Sequence, residues 1–165
     1  MRTALGIGLA ASLAASAALA APAVESRYST IGEADCALAE SGEPQGEDWV
    51  LHRCQGVAGI TVWVVYTDSV RMQLAFGPKE FPGYAVYSAE RDDAWKVEWR
   101  GTGEGAAFRP FAAIARMVPP EGGASVLAVY RVWGDKPSCR IGQAADNAGA
   151  RRIADAAATL TACPE

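Results

Sequence analysis

The sequence predicts a β-dominated α+β domain: an antiparallel sheet, sandwich or half-barrel that carries one C-terminal helix and is stapled by two disulfides. Three observations lead there. Short runs of alternating or β-branched apolar residues recur from Trp49 to Gln143 with turn residues between them, and the period becomes helical only after Asp146. Four cysteines, an even number, lie in a chain that begins with an export leader.

That leader is "MRTALGIGLAASLAASAALAAPAVES": one basic residue, Arg2, an apolar run of Ala and Leu, then small residues at Ala18 and Ala20. The pattern is that of a secretory signal peptide cleaved after Ala20, and Ala21 with Ala23 repeats the spacing as a second site. Its apolar part is interrupted by Gly and Ser and falls short of the ~20 residues that a membrane span needs. Residues 1–20 are therefore read as the signal and 21–165 as a single domain, periplasmic or secreted, with no stable membrane insertion after cleavage.

Along the mature chain, Ala21–Ser26 reads as a frayed tail and "RYSTI" as a short extended piece. "DCALAESGEPQGEDWVLHRC", residues 35–54, follows as a polar, turn-rich loop running into a strand, with Trp49, Leu51 and Arg53 on one face and Val50, His52 and Cys54 on the other. "GITVWVVYTDSVRMQLAFG" is the clearest hairpin. Its first arm is apolar on both faces and belongs in the centre of a sheet, while its second alternates, Val70, Met72, Leu74 and Phe76 against Arg71, Gln73 and Ala75. "YAVYSAERDD" has no assignable period. "AWKVEWRG" sets Trp95, Val97 and Trp99 inward against Lys96, Glu98 and Arg100 on a wet face. "FRPFAAIARMV", stopped by Pro119 and Pro120, "ASVLAVYRVW" and "SCRIGQ" complete six or so strands. The last segment offers Asp146 or Asn147 as an N-cap. It places Ala150, Ile153, Ala156, Ala157 and Leu160 on one helical face, with Arg151 and Asp155 pairing outside at i, i+4.

The cysteines, Cys36, Cys54, Cys139 and Cys163, read as a disulfide framework. Four cysteines permit three connectivities, among which the sequence-local one is favoured because each pair brackets one supersecondary unit. Closing either loop is worth roughly 3 kcal/mol in the chain-entropy picture. There is no Cys-x-x-Cys, and the single histidine, His52, argues against a thiolate zinc site, so neither metal nor cofactor is expected.

Other candidate chemistry has an architectural counterpart in each case. His52 lacks a Gly-x-Ser-x-Gly partner and fits a structural histidine. "GTGEG", residues 101–105, lacks the phosphate-cradle ending and precedes a strand, so it reads as a hairpin loop. "ERDD", residues 90–93, reads as a solvated turn. Of the tryptophans, Trp63, Trp95, Trp99 and Trp133 fit the core, and Trp49 with Tyr84 or Tyr87 would form a binding face if exposed. The net charge of −4 with scattered basic residues excludes a nucleic-acid surface.

Taken together, "YSTIGEADC", "HRCQG", "VEWRG", "PFAAIARM", "SVLAVYRV", "SCRIGQAADNAGARRIADAAA" and the final "CPE" resemble a group of small exported alphaproteobacterial proteins. The resemblance covers most of residues 28–164, implies export and two disulfides, and carries no functional residue. "HRCQGVAGITVWVVYTDSVRMQLAF" is also similar to the Cys-Gly-strand-turn-strand opening of lysozyme inhibitors of the MliC type, although the Ser-Gly loop followed by Tyr that those inhibitors insert into the enzyme is missing. The expected function is a soluble periplasmic binding or interaction protein without catalytic activity, its partner another envelope protein. The alternative is an inhibitor of a cell-wall hydrolase such as lysozyme, with residues 78–94 as the inhibitory loop.

Overall fold

The hairpin arm that is apolar on both faces does become a central strand, β4 (Thr61–Tyr66), of one of two five-stranded antiparallel sheets. The computed structural model describes residues 22–42, 49–67, 71–81, 87–88 and 95–164. Around β4 the first sheet runs β2 (Cys36–Gly42), β3 (Trp49–Gln55), β4, β5 (Arg71–Phe76) and β6 (Tyr87–Ser88). The second runs β1 (Val24–Thr30), β7 (Lys96–Thr102), β8 (Arg109–Met117), β9 (Val126–Arg131) and β10 (Cys139–Ala144). A helix, α1 (Asn147–Ala156), continued by a 3-10 turn at Ala157–Thr159, packs on the far face of the second sheet.

The two inner faces make one core. Val62, Val64, Met72, Leu74 and Phe76 of the hairpin meet Val97, Trp99, Ala113, Ala115, Ala128 and Tyr130 of the second sheet. Trp99 is at its centre, fully buried and edge-to-face with Phe76 at 5.5 Å, with its Nε1 donating to Ser29 Oγ at 2.9 Å. Gly56 lies against it so closely that a Cβ there would sit 2.5 Å from the indole ring and from the Ile60 carbonyl, which is why this turn takes glycine.

A second core lies under the helix, where Ala150, Ala154 and Ala157 rest on Phe111, Ala112, Ile114, Leu127 and Val129. β8 and β9 are thus covered on both faces, which explains why "FAAIA" and "VLAV" are apolar without alternation. Asp146 caps the helix, accepting from Gly149 N at 2.7 Å. Because Ala154 is fully buried, Ala154→Leu has no room for its extra methylenes. It is expected to lower stability by about 1–3 kcal/mol, seen as a lower urea midpoint with an unchanged denaturant slope.

The disulfides take the sequence-local pattern, Cys36–Cys54 and Cys139–Cys163, closing separations of 18 and 24 residues. The first joins directly opposed residues of β2 and β3, and the second ties the chain beyond the helix to β10.

Several elements differ from the sequence-based expectation. The tail at 21–26 is ordered from Val24, which pairs with Thr102 as Glu25 does with Gly101 and Ser26 with Arg100, because β7 supplies a ladder that local sequence cannot reveal. Much of the expected loop after Cys36 is strand β2. Its side chains are largely exposed, so it owes its place to pairing and to the disulfide and carries no burial pattern. Residues 87–88 form the short β6. Ten strands are present among the described residues where six or so were expected. Val70, the inhibitory-loop residues 82–86 and 89–94, and with them "ERDD", lie outside the described residues.

Candidate functional site

Alternation along β7 puts Lys96, Glu98 and Arg100 on the face opposite Val97 and Trp99, as the sequence predicts, but that face is not simply wet. The helix covers part of it, and Glu98 is only 8% exposed. A carboxylate so placed needs partners that outweigh its lost hydration. It has three donors: Ser26 Oγ at 2.5 Å, Arg151 Nε at 2.7 Å and Arg151 Nη2 at 3.2 Å. Beside it Arg100 grips Asp155 with Nε and Nη2, both at 2.8 Å, and donates from Nη1 to Ser26 Oγ at 2.6 Å. The expected Arg151–Asp155 pair on the helix surface is therefore replaced. Both residues turn to the sheet, where more deeply buried partners of opposite charge offer stronger, bidentate contacts. The hydrogen bonds that Arg151 donates to the Glu98 carboxylate raise the affinity of Arg151 for its proton, so the cation is firmly held.

Next to this latch, at the end of the sheet where the helix begins, a cleft of about 540 Å³ opens. Tyr28 and Trp95 are its aromatic lining, Val118 lies beside them, and the buried Ile114 and Leu127 reach it only at their edges. The Ile31 N to Trp95 O hydrogen bond, 3.0 Å, prolongs the β1–β7 ladder and fixes these neighbours. Lys96 and Arg116 lie at the same cleft, both exposed. Arg116 donates to Ser125 Oγ at 3.0 Å, and among the described residues neither cation meets a carboxylate. Arg151 closes one side, its Nη2 3.2 Å from Tyr28 OH.

A buried cation elsewhere has a structural task. Arg131, 8% exposed, gives hydrogen bonds to the Leu160, Phe111 and Val132 carbonyls and stacks 4.8 Å over Trp133. Burial lowers its pKa, and the ring of carbonyls compensates by taking up the guanidinium donors.

The residues singled out from sequence are dispersed. His52 lies on β3, its ring edge-on to Tyr66 at 5.8 Å, with Nδ1 unpartnered among the described residues. No group of three His, Cys, Asp or Glu side chains among the described residues could hold a metal ion. "GTGEG" is the turn from β7 to β8, and its Gly105 carbonyl accepts from Arg27 Nη1 at 2.6 Å. Trp63 donates to the Gly77 carbonyl at 2.8 Å. Tyr87 is buried, which removes it from an exposed face with Trp49, and Tyr84 lies outside the described residues. The cleft residues Tyr28, Arg116 and Arg151 carried no sequence signal, since they come from three distant elements.

Burial raises the pKa of Tyr87 and, more strongly, that of Tyr130, with nearby Arg140 opposing in both cases. An unfolded tyrosine titrates near 10, so above about pH 10 the unfolded chain loses these protons first and stability falls as pH rises toward the folded values. Among the described residues the Tyr130 hydroxyl has no partner at hydrogen-bonding geometry. Tyr130→Phe is therefore expected to leave stability at pH 7 unchanged or higher and to flatten the alkaline fall, as read by urea unfolding across pH 8–11.

No family model, no curated protein and no solved structure matches this chain. No helix among the described residues is long and apolar enough to cross a membrane.

Proposed function

We propose that this is an exported, non-catalytic binding protein of the periplasm or extracellular space, and that it holds a small ligand in the cleft between Tyr28, Trp95 and the start of the helix. The observation that carries this reading is the cleft itself: concave, partly apolar, and flanked by two cations that meet no carboxylate among the described residues. The leader and the two disulfides support an oxidising compartment. Glu98 and Arg151 hold each other at the base, an arrangement suited to rigidity more than to proton transfer.

The test is native mass spectrometry of the oxidised mature protein after incubation with a cell-envelope extract, alongside affinity capture with reduced, alkylated protein as control. One small molecule retained per chain and lost in Tyr28→Ala is the expected result. Capture of a cell-wall hydrolase by the oxidised form, with no small molecule retained, would replace this reading by that of an inhibitor.

A further inference from the structure

Val97 pairs with Ala115, so one further step along the antiparallel ladder sets Lys96 beside Arg116. Both share the face of Glu98 and Ile114, and both line the cleft. Like charges in such cross-strand positions repel, and among the described residues no carboxylate relieves them. Glu98 does little to relieve them, because its charge is already matched by Arg151. Among the described residues, Lys96, Arg116 and Arg151 against Glu98 make the cleft cationic in a chain whose net charge is −4. The Ser125 hydroxyl and the Asn147 amide add neutral polar groups at the same place. The apolar lining comes chiefly from Tyr28, 55% exposed, with the half-buried Trp95 and Val118 beside it and only the edges of the buried Ile114 and Leu127 reaching the cleft, and such surface suits an aliphatic or aromatic body.

We infer that the cleft recognises an amphipathic oxyanion: an anionic head set between Lys96 and Arg116, with an apolar body lying against Tyr28, Trp95 and Val118. This rests on the binding reading above and names the ligand class it implies. The head relieves a repulsion built into the sheet, and the body covers the apolar surface of the cleft. Each part explains one half of the lining.

Octanoate, its neutral counterpart 1-octanol, and inorganic phosphate separate these contributions. By calorimetry at low salt, octanoate is expected to bind one per chain, at least about tenfold more tightly than 1-octanol or phosphate, and to weaken as salt is added. The double variant Lys96→Gln/Arg116→Gln should lose about tenfold or more for octanoate and nothing for 1-octanol. Should the double variant fold poorly by thermal melt, Lys96→Glu, at an exposed position, should give the same selective loss. Equal affinity for octanoate and 1-octanol would overturn recognition of the anion, while leaving a cleft that binds. Phosphate binding as tightly as octanoate would overturn the amphipathic part. Failure of all three to bind would overturn the inference, and the mass-spectrometric result would still decide the binding reading by itself.

Discussion

Trp99→Ala is expected to cost about 3–5 kcal/mol, the range for removing a large buried aromatic, and so a large share of a domain's usual stability. The residue has no exposed surface and joins three things at once: the Phe76 ring of the opposite sheet, the Ser29 hydroxyl on β1, and the turn at Gly56. Backbone pairing on either side of β7 keeps the sheets from collapsing fully into the space, so the cavity persists and adds to the lost transfer energy. Trp99→Phe retains most of the ring contact and forfeits the hydrogen bond to Ser29, and should cost clearly less. Urea unfolding of both variants measures this, and a loss below about 1 kcal/mol for alanine would show that the inter-sheet core is not centred on this residue.

Cys54→Ser is expected to lower stability by roughly 3 kcal/mol, chiefly because the unfolded chain regains the freedom that the 18-residue closure removes. The position is 2% exposed, so the new hydroxyl is also buried against the core. Cys36→Ser breaks the same bond at a partly exposed position, and the difference between the two variants isolates the burial component. Octanoate affinity should be preserved in whatever fraction remains folded, since the cleft is built on the other sheet and the helix. A non-reducing peptide map showing four free thiols in protein produced in an oxidising compartment would refute the stapling altogether.

These two expectations rest on features of different legibility. The inward set of Trp95, Val97 and Trp99 could be read from a period of two, because one face of β7 packs on apolar surface and selection of side chains follows that face. The double-sided burial of β8 and β9 could be read only as an absence of alternation, since the helix and the opposite sheet each demand apolar residues. β1 was read only in part, as the extended "RYSTI", and β2 was not read as a strand. Both are edge strands whose side chains are mostly half-exposed or exposed, so pairing partners, and not hydrophobic pattern, define them. The helix was placed, with Asp146 proving the cap of the two candidates, yet Ala156 is exposed where Ala154 is buried, and Arg151 and Asp155 were assigned to each other because spacing along a helix says nothing about what lies beneath it.

The sequence by itself determined the elements whose signals are local: the hairpin, the turn glycines, the place of the helix and the cysteine framework. The cleft was decided only in three dimensions. Tyr28, Lys96, Arg116 and Arg151 stand on four separate elements, and nothing in the chain near any of them records the others. Strand register and the docking of the helix bring them together, and these are properties of long-range pairing and packing that no run of neighbouring residues encodes.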